Sequence, residues 1–187
     1  MSVLVEGISI IIKAKAIITK YPGGWKSFKD NPPNKTLCAD TELARLGFMS
    51  PDDVGNYIKE LEDFGFQHIL GNKAIDLVVA DQQRGFTSNC EWTEFGFIDL
   101  DNNPEQTIAV CRLVNSTIQE IIFPDDWDFE SSLSSQFQFV ETDKKDGRMK
   151  FLREEDGIEV YLEIESGKEV YLGRPKNNCS SKVNYKI

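Results

Sequence analysis

Ser50-Pro51-Asp52-Asp53 constrains this chain more than any other segment, because it opens a helix with several agreeing signals. Ser50 is a capping residue, and Pro51 suits the first helical position, where its missing N–H costs nothing. Two acids then favour the positive end of the helix dipole. Val54, Tyr57, Ile58, Leu61 and Phe64 follow at the spacing of one buried face, and Gly65 is a natural stop. The pattern predicts a helix over 51–64 whose apolar side needs a sheet or other helices to cover it.

Strand patterns supply that sheet. Val3 to Ile12 is rich in β-branched residues and predicts one strand, buried on both faces over part of its length. Ala14 to Lys20 predicts two helical turns ended by Tyr21-Pro22-Gly23-Gly24, with Trp25 and Phe28 on a short amphipathic turn beyond. Over Leu43 to Met49, Leu43, Arg45 and Gly47 oppose Ala44, Leu46 and Phe48. Strands are further expected over Phe66 to Leu70, Ala74 to Ala80, Cys90 to Leu100 and Thr107 to Val114. Beyond Asn115 the same signals recur at Ile118 to Phe123, Phe137 to Glu141, Met149 to Arg153, Ile158 to Glu165 and Glu169 to Leu172. The expected class is α+β, a mainly antiparallel sheet with a few helices. Residues 1–115 read as a core domain. Residues 116–187 read as a β-rich C-terminal extension, either a lobe of its own or more of the same domain.

The chain of 187 residues, 40% hydrophobic and 28% charged, is long enough to bury a core without disulfides or metal. Its formal charge of −10 repels phosphate backbones, so nucleic acid is not an expected partner. Met1 to Glu6 lacks the basic start of a secretory signal, and Lys13 closes the apolar run at Ile8 to Ile12 well short of a membrane span. A cytoplasmic protein without membrane contact is expected. Cys38, Cys90, Cys111 and Cys179 form no CxxC pair and read as free thiols.

The order of strand (Leu43–Met49), helix (Pro51–Phe64) and three strands up to Leu100, with Gly47-Phe48-Met49-Ser50-Pro51-Asp52-Asp53-Val54 leading into the helix, forms a βαβββ string. It resembles the building block of the glyoxalase/vicinal-oxygen-chelate superfamily, and covers about a third of the chain. That resemblance implies a cupped sheet with His and Glu metal ligands on its strands. Here the segment offers Glu42, Glu91 and Glu94 but only His68 as an imidazole, and no second module is visible. The phrases Tyr21-Pro22-Gly23-Gly24, Cys38-Ala39-Asp40, Glu42-Leu43-Ala44-Arg45, Gly47-Phe48-Met49, Asp81-Gln82-Gln83-Arg84-Gly85 and Cys90-Glu91-Trp92-Thr93-Glu94-Phe95-Gly96 resemble those of uncharacterised bacterial proteins. This second likeness covers about the first hundred residues, and implies a bacterial origin without an activity.

The candidate ligand-binding residues are Cys38, Asp40, Arg45, Asp81, Gln82, Arg84, Cys90, Trp92 and Glu94, drawn from three segments that would have to meet. Asp81 and Arg84 read either as an ion pair shaping the loop or as a site where the Arg84 fork takes an anionic group. A nucleophilic Cys needs a base, and His68 on an apolar strand is a poor one, so no catalytic residue is assigned. No motif implies a metal or cofactor. Asp125, Asp126 and Asp128 around Trp127 read as a solvated acidic turn. The composition favours a non-catalytic protein with an acidic surface, engaging a basic partner protein in the manner of immunity proteins and inhibitors. A binding protein for a small anionic ligand is the alternative, together with a glyoxalase-like enzyme with its pocket near Cys38, Arg84 and Trp92.

Overall fold

A computed structural model of the chain describes residues 1–117, 120–136, 149–155, 158–163, 167 and 169–173. The strand expected at Phe137 to Glu141 and the polar tail from Arg174 lie outside the described residues. Residues 1–127 make up one compact unit, and the described part of 128–181 a second. The class is α+β, with antiparallel pairing dominant.

In the first unit, β1 (Ser2–Val5) and β2 (Ile8–Lys13) run on from one another but belong to different sheets. The single strand expected over Val3 to Ile12 is therefore corrected to two. Gly7 adopts φ 57, a left-handed conformation that breaks the strand and redirects the chain. The strands on both sides are mainly apolar and buried, so only Glu6-Gly7 marks the break in a pattern of hydrophobicity.

Two helices follow, α1 (Ala14–Lys20) and α2 (Gly24–Asp30), then β3 (Cys38–Ala39), β4 (Leu43–Phe48) and α3 (Pro51–Asp63). Helix α3 begins as expected, with Ser50 Oγ accepting from the Asp52 amide at 3.2 Å, and it buries Val54, Tyr57, Ile58 and Leu61. Next come a hairpin, β5 (Ile69–Leu70) with β6 (Lys73–Ala74), then β7 (Leu77–Asp81), β8 (Gly85–Phe86), β9 (Thr93–Asp99), β10 (Thr107–Leu113) and β11 (Ile121–Ile122).

The expected strand Ala74 to Ala80 is also divided, between β6 and β7. Asp76 causes the break. Its Oδ2 accepts from Lys20 Nζ at 2.6 Å and from the Gln67 amide at 2.8 Å, while its carbonyl takes the Lys13 amide at 3.0 Å. Those bonds pin the chain to α1 and peel the hairpin off the sheet.

One sheet has the order β11-β1-β10-β9 and the other β3-β4-β2-β7-β8. The strands after α3 are thus shared among both sheets and the separate hairpin. On the second sheet, Ile10, Ile12, Ala44, Leu46, Leu77 and Val79 form one face, packed by Ala16, Ile17, Phe28, Val54, Tyr57, Ile58 and Leu61 of the helices. Burying a side chain such as Leu61 contributes about 1.5–3 kcal/mol. The opposite face carries Ser9, Ile11, Arg45, Gly47, Val78 and Ala80, and strand β1 of the first sheet lies against β3 and β4.

Beyond the short β3, which pairs with Ala44 and Arg45, the outer edge of β4 is closed by side chains. The Gly47 amide donates to Thr36 Oγ1 at 2.7 Å, and its carbonyl accepts from Asn34 Nδ2 at 2.8 Å. In the second unit, α4 (Leu133–Gln136) precedes an antiparallel sheet of β12 (Met149–Glu155), β13 (Ile158–Glu163) and β14 (Glu169–Gly173). Arg153 reaches from β12 to Glu169 on β14 with a paired contact of 2.8 Å on each nitrogen.

Gly7→Ala forces an L side chain into the left-handed region and is expected to cost about 1–2 kcal/mol in urea denaturation. An unchanged midpoint would show that the corner between the sheets does not need this conformation.

Candidate functional site

The nine candidate residues fall into separate settings. Cys38 and Arg45 are cross-strand partners on β3 and β4 and face the layer between the sheets. Arg45 is only 2% exposed. Its Nε donates to Ser9 Oγ at 2.9 Å, Nη1 to the Thr36 carbonyl at 3.1 Å and Nη2 to the Glu6 carbonyl at 2.7 Å. Ser9 Oγ in turn donates to the Glu6 carbonyl at 2.9 Å. A Cβ on Gly47 would lie 2.5 Å from Arg45 Nη2, so glycine leaves the space that the guanidinium fills. Burial pulls the Arg45 pKa down, opposed by Cys38, Glu6 and Cys111.

Gln82 serves the same corner from the other side. Its amide donates to the Gly7 carbonyl at 3.0 Å, and its Oε1 accepts from the Gly7 amide at 2.9 Å. Asp40 and Asp81 each shape a turn. Asp40 Oδ1 accepts from the Glu42 and Leu43 amides, both at 2.6 Å, and Oδ2 lies 3.8 Å from the Met1 amino group. Asp81 Oδ1 accepts from the Gln83 amide at 2.9 Å and the Arg84 amide at 2.8 Å, so it acts on Arg84 through the backbone, and the Arg84 residue is exposed.

Cys90 and Trp92 sit beside Lys13. The Lys13 ammonium lies 4.7 Å from the centre of the Trp92 ring, and Trp92 Nε1 donates to the Ala74 carbonyl at 3.1 Å. Burial lowers the Lys13 pKa, with Asp76 and Cys90 opposing. Glu94 pairs across the strands with Arg112, whose Nε and Nη2 both lie 3.1 Å from Glu94 Oε2. His68 is half-buried, and burial lowers its pKa against the pull of Glu62.

The thiols of Cys38, Cys90 and Cys111 are held in the protonated form. Burial pushes Cys38 up to about 11, against the Arg45 charge. Cys111, fully buried, rises well above its usual value, burial again the main cause, and Cys90 also rises. Among the described residues no group of three or more His, Cys, Asp or Glu side chains is placed to hold a metal ion. No described helix is long and apolar enough to cross a membrane.

The exposed charge lies elsewhere. Helix α3 turns Asp52, Asp53, Glu60, Glu62 and Asp63 to solvent, with Lys59 the one basic residue along it. Asp125, Asp126, Asp128 and Glu130 are exposed as expected for an acidic turn, and Asp128 is held low by hydrogen bonds from Ser131. The acids ending α3 escape a search for motifs, but they stand out against the helix dipole, which favours basic residues there. No protein-family model, curated protein or solved structure matches this chain.

Arg45→Met removes the donors to Glu6, Thr36 and Ser9, leaves the Thr36 carbonyl without this donor, and is expected to lower stability by about 1–3 kcal/mol. Gly47→Ala should cost about 1–3 kcal/mol by crowding the same guanidinium. A loss below about 1 kcal/mol for Arg45→Met in urea denaturation would show the network to be dispensable.

The Cys38 thiol has a folded pKa above its unfolded value, so the stability it contributes is intact below pH 9. That contribution falls as pH rises from 9.0 toward about 11, because only the unfolded chain ionises freely there. Denaturation of Cys38→Ala and the parent chain across that range checks the sign: the variant should lose less stability.

Proposed function

We propose that the chain is a non-catalytic binding protein whose acidic surface engages a basic partner protein, in the manner of an immunity protein or enzyme inhibitor. The observation that carries this reading is the last turn of α3. Glu60, Glu62 and Asp63 stand at the negative end of the helix dipole, and the last turn holds no basic residue, Lys59 before it being the one base against three acids. Each such placement costs about 0.3–1 kcal/mol at low salt. Exposed residues that break a local rule without a structural return are the expected mark of a binding surface.

The formal charge of −10 adds long-range attraction for a basic partner and speeds encounter with it. The polar groups in the interior support the same reading from the other side. Arg45, Gln82, Asp40 and Asp81 are engaged in backbone hydrogen bonds that form corners and turns. The buried thiols are held protonated, a poor state for a nucleophile.

Native mass spectrometry of the chain purified gently from its own host tests the proposal. The expected result is a stoichiometric complex with a basic protein, dissociating as salt is raised. Glu62→Lys with Asp63→Lys should weaken that complex at least about 10-fold. A tightly held small molecule or metal in place of a protein would overturn the reading, as would turnover of a substrate.

A further inference from the structure

Where the helices meet over the second sheet, aromatic rings gather beside the acidic side of α3. The Tyr21-Pro22-Gly23-Gly24 turn folds α2 back on α1, which sets Tyr21 against Phe28 at 5.2 Å and against Phe64 at 5.3 Å, ring centre to ring centre. Trp25 stacks on Phe28 at 6.2 Å. Phe28 is fully buried, but Tyr21, Trp25 and Phe64 each keep part of their surface in solvent.

Tyr57, on the same helix as Glu60 and one turn before it, has a feature the packing does not explain. It is only 6% exposed, yet its hydroxyl has no hydrogen-bond partner among the described residues. A buried hydroxyl without a partner costs stability, and phenylalanine would fill an apolar site without that cost. Tyr57 packs on Phe48, with ring centres 5.7 Å apart, and belongs to the core cluster that Tyr21, Trp25 and Phe64 cover, while Glu60 follows it by three residues on the same helix. After burial, Tyr21 and Glu60 raise the Tyr57 pKa, and Glu60 raises that of Tyr21 too. Ring faces, phenol oxygens and an exposed carboxylate in one place are complementary to a cation.

We propose that Tyr21, Trp25, Tyr57, Glu60 and Phe64 form a recognition site for a basic side chain, lysine or arginine, of the partner protein. This rests on the basic-partner reading and adds the point of contact. The charged head of the incoming side chain meets exposed Glu60 and its stem lies on the exposed parts of the rings, and a shift of those rings opens the way to the Tyr57 hydroxyl, which has no exposed surface in the unbound chain. The carboxylates of Glu62 and Asp63 on the outer side of the helix supply attraction at longer range.

A titration of the isotope-labelled full chain with hexa-arginine peptide, followed by NMR, tests the site. Saturable shifts are expected at Tyr21, at the Trp25 indole, and at Tyr57, Glu60 and Phe64, with none from hexa-glutamate. Glu60→Gln should weaken binding at least about 5-fold. Tyr57→Phe should melt at or above the temperature of the parent chain, since it removes an orphan hydroxyl, yet bind about 2–5-fold more weakly. A merely structural tyrosine would not separate stability from affinity in this way. Shifts confined to other acidic segments, with both variants titrating like the parent chain, would overturn the site and leave the basic-partner reading standing. No binding of hexa-arginine at low salt would overturn both.

Discussion

The buried guanidinium of Arg45 is the contact on which the arrangement of the first unit depends. A charge in the layer between two sheets loses its hydration, and it is tolerated only where oxygen acceptors surround it. Here they come from the β1–β2 corner, from the segment leading into β3 and from Ser9. A side chain on β4 therefore fixes where the first sheet hands the chain to the second. Gly47 is tied to the same requirement, as are the protonated thiols of Cys38 and Cys111 in this layer.

The interior polar groups Arg45, Gln82 and Asp40 thus hold corners and turns, and the exposed acids of α3 lie on the helical side. The second sheet divides these tasks between its faces. One holds Arg45 and the intersheet network, while the other carries the helices and presents aromatic rings and carboxylates outward. A change on α3 that spares its buried face is remote from the Arg45 network, and the surface is free to vary in charge without disturbing the corner.

Much of the fold was legible because its signals are local. Helix α3 carries its own cap, its own period and its own stop, and none of these needs a distant residue. The corner at Gly7 is hidden because β-branched, buried strands run up to it from both sides, and Glu6-Gly7 is its only sign. The break at Asp76 was hidden for another reason: its partners, Lys20 and Gln67, become neighbours only after folding. The candidate site failed to read as one place on similar grounds. Arg45 looked like a ligand group since arginine is seldom buried, and its acceptors are mostly backbone carbonyls, which leave no trace in a sequence. Spacing puts Tyr57 on the buried face of α3, but only folding decides that its hydroxyl has no hydrogen-bond partner among the described residues.

The closed edge of β4 limits how another chain can approach. Asn34 and Thr36 occupy the backbone positions of Gly47 that an incoming strand would need. Adding a strand there would first require those side chains to be displaced, so the stretch of β4 that runs past β3 resists pairing with another chain. Recognition then falls to side chains, whose charge and shape are read one by one.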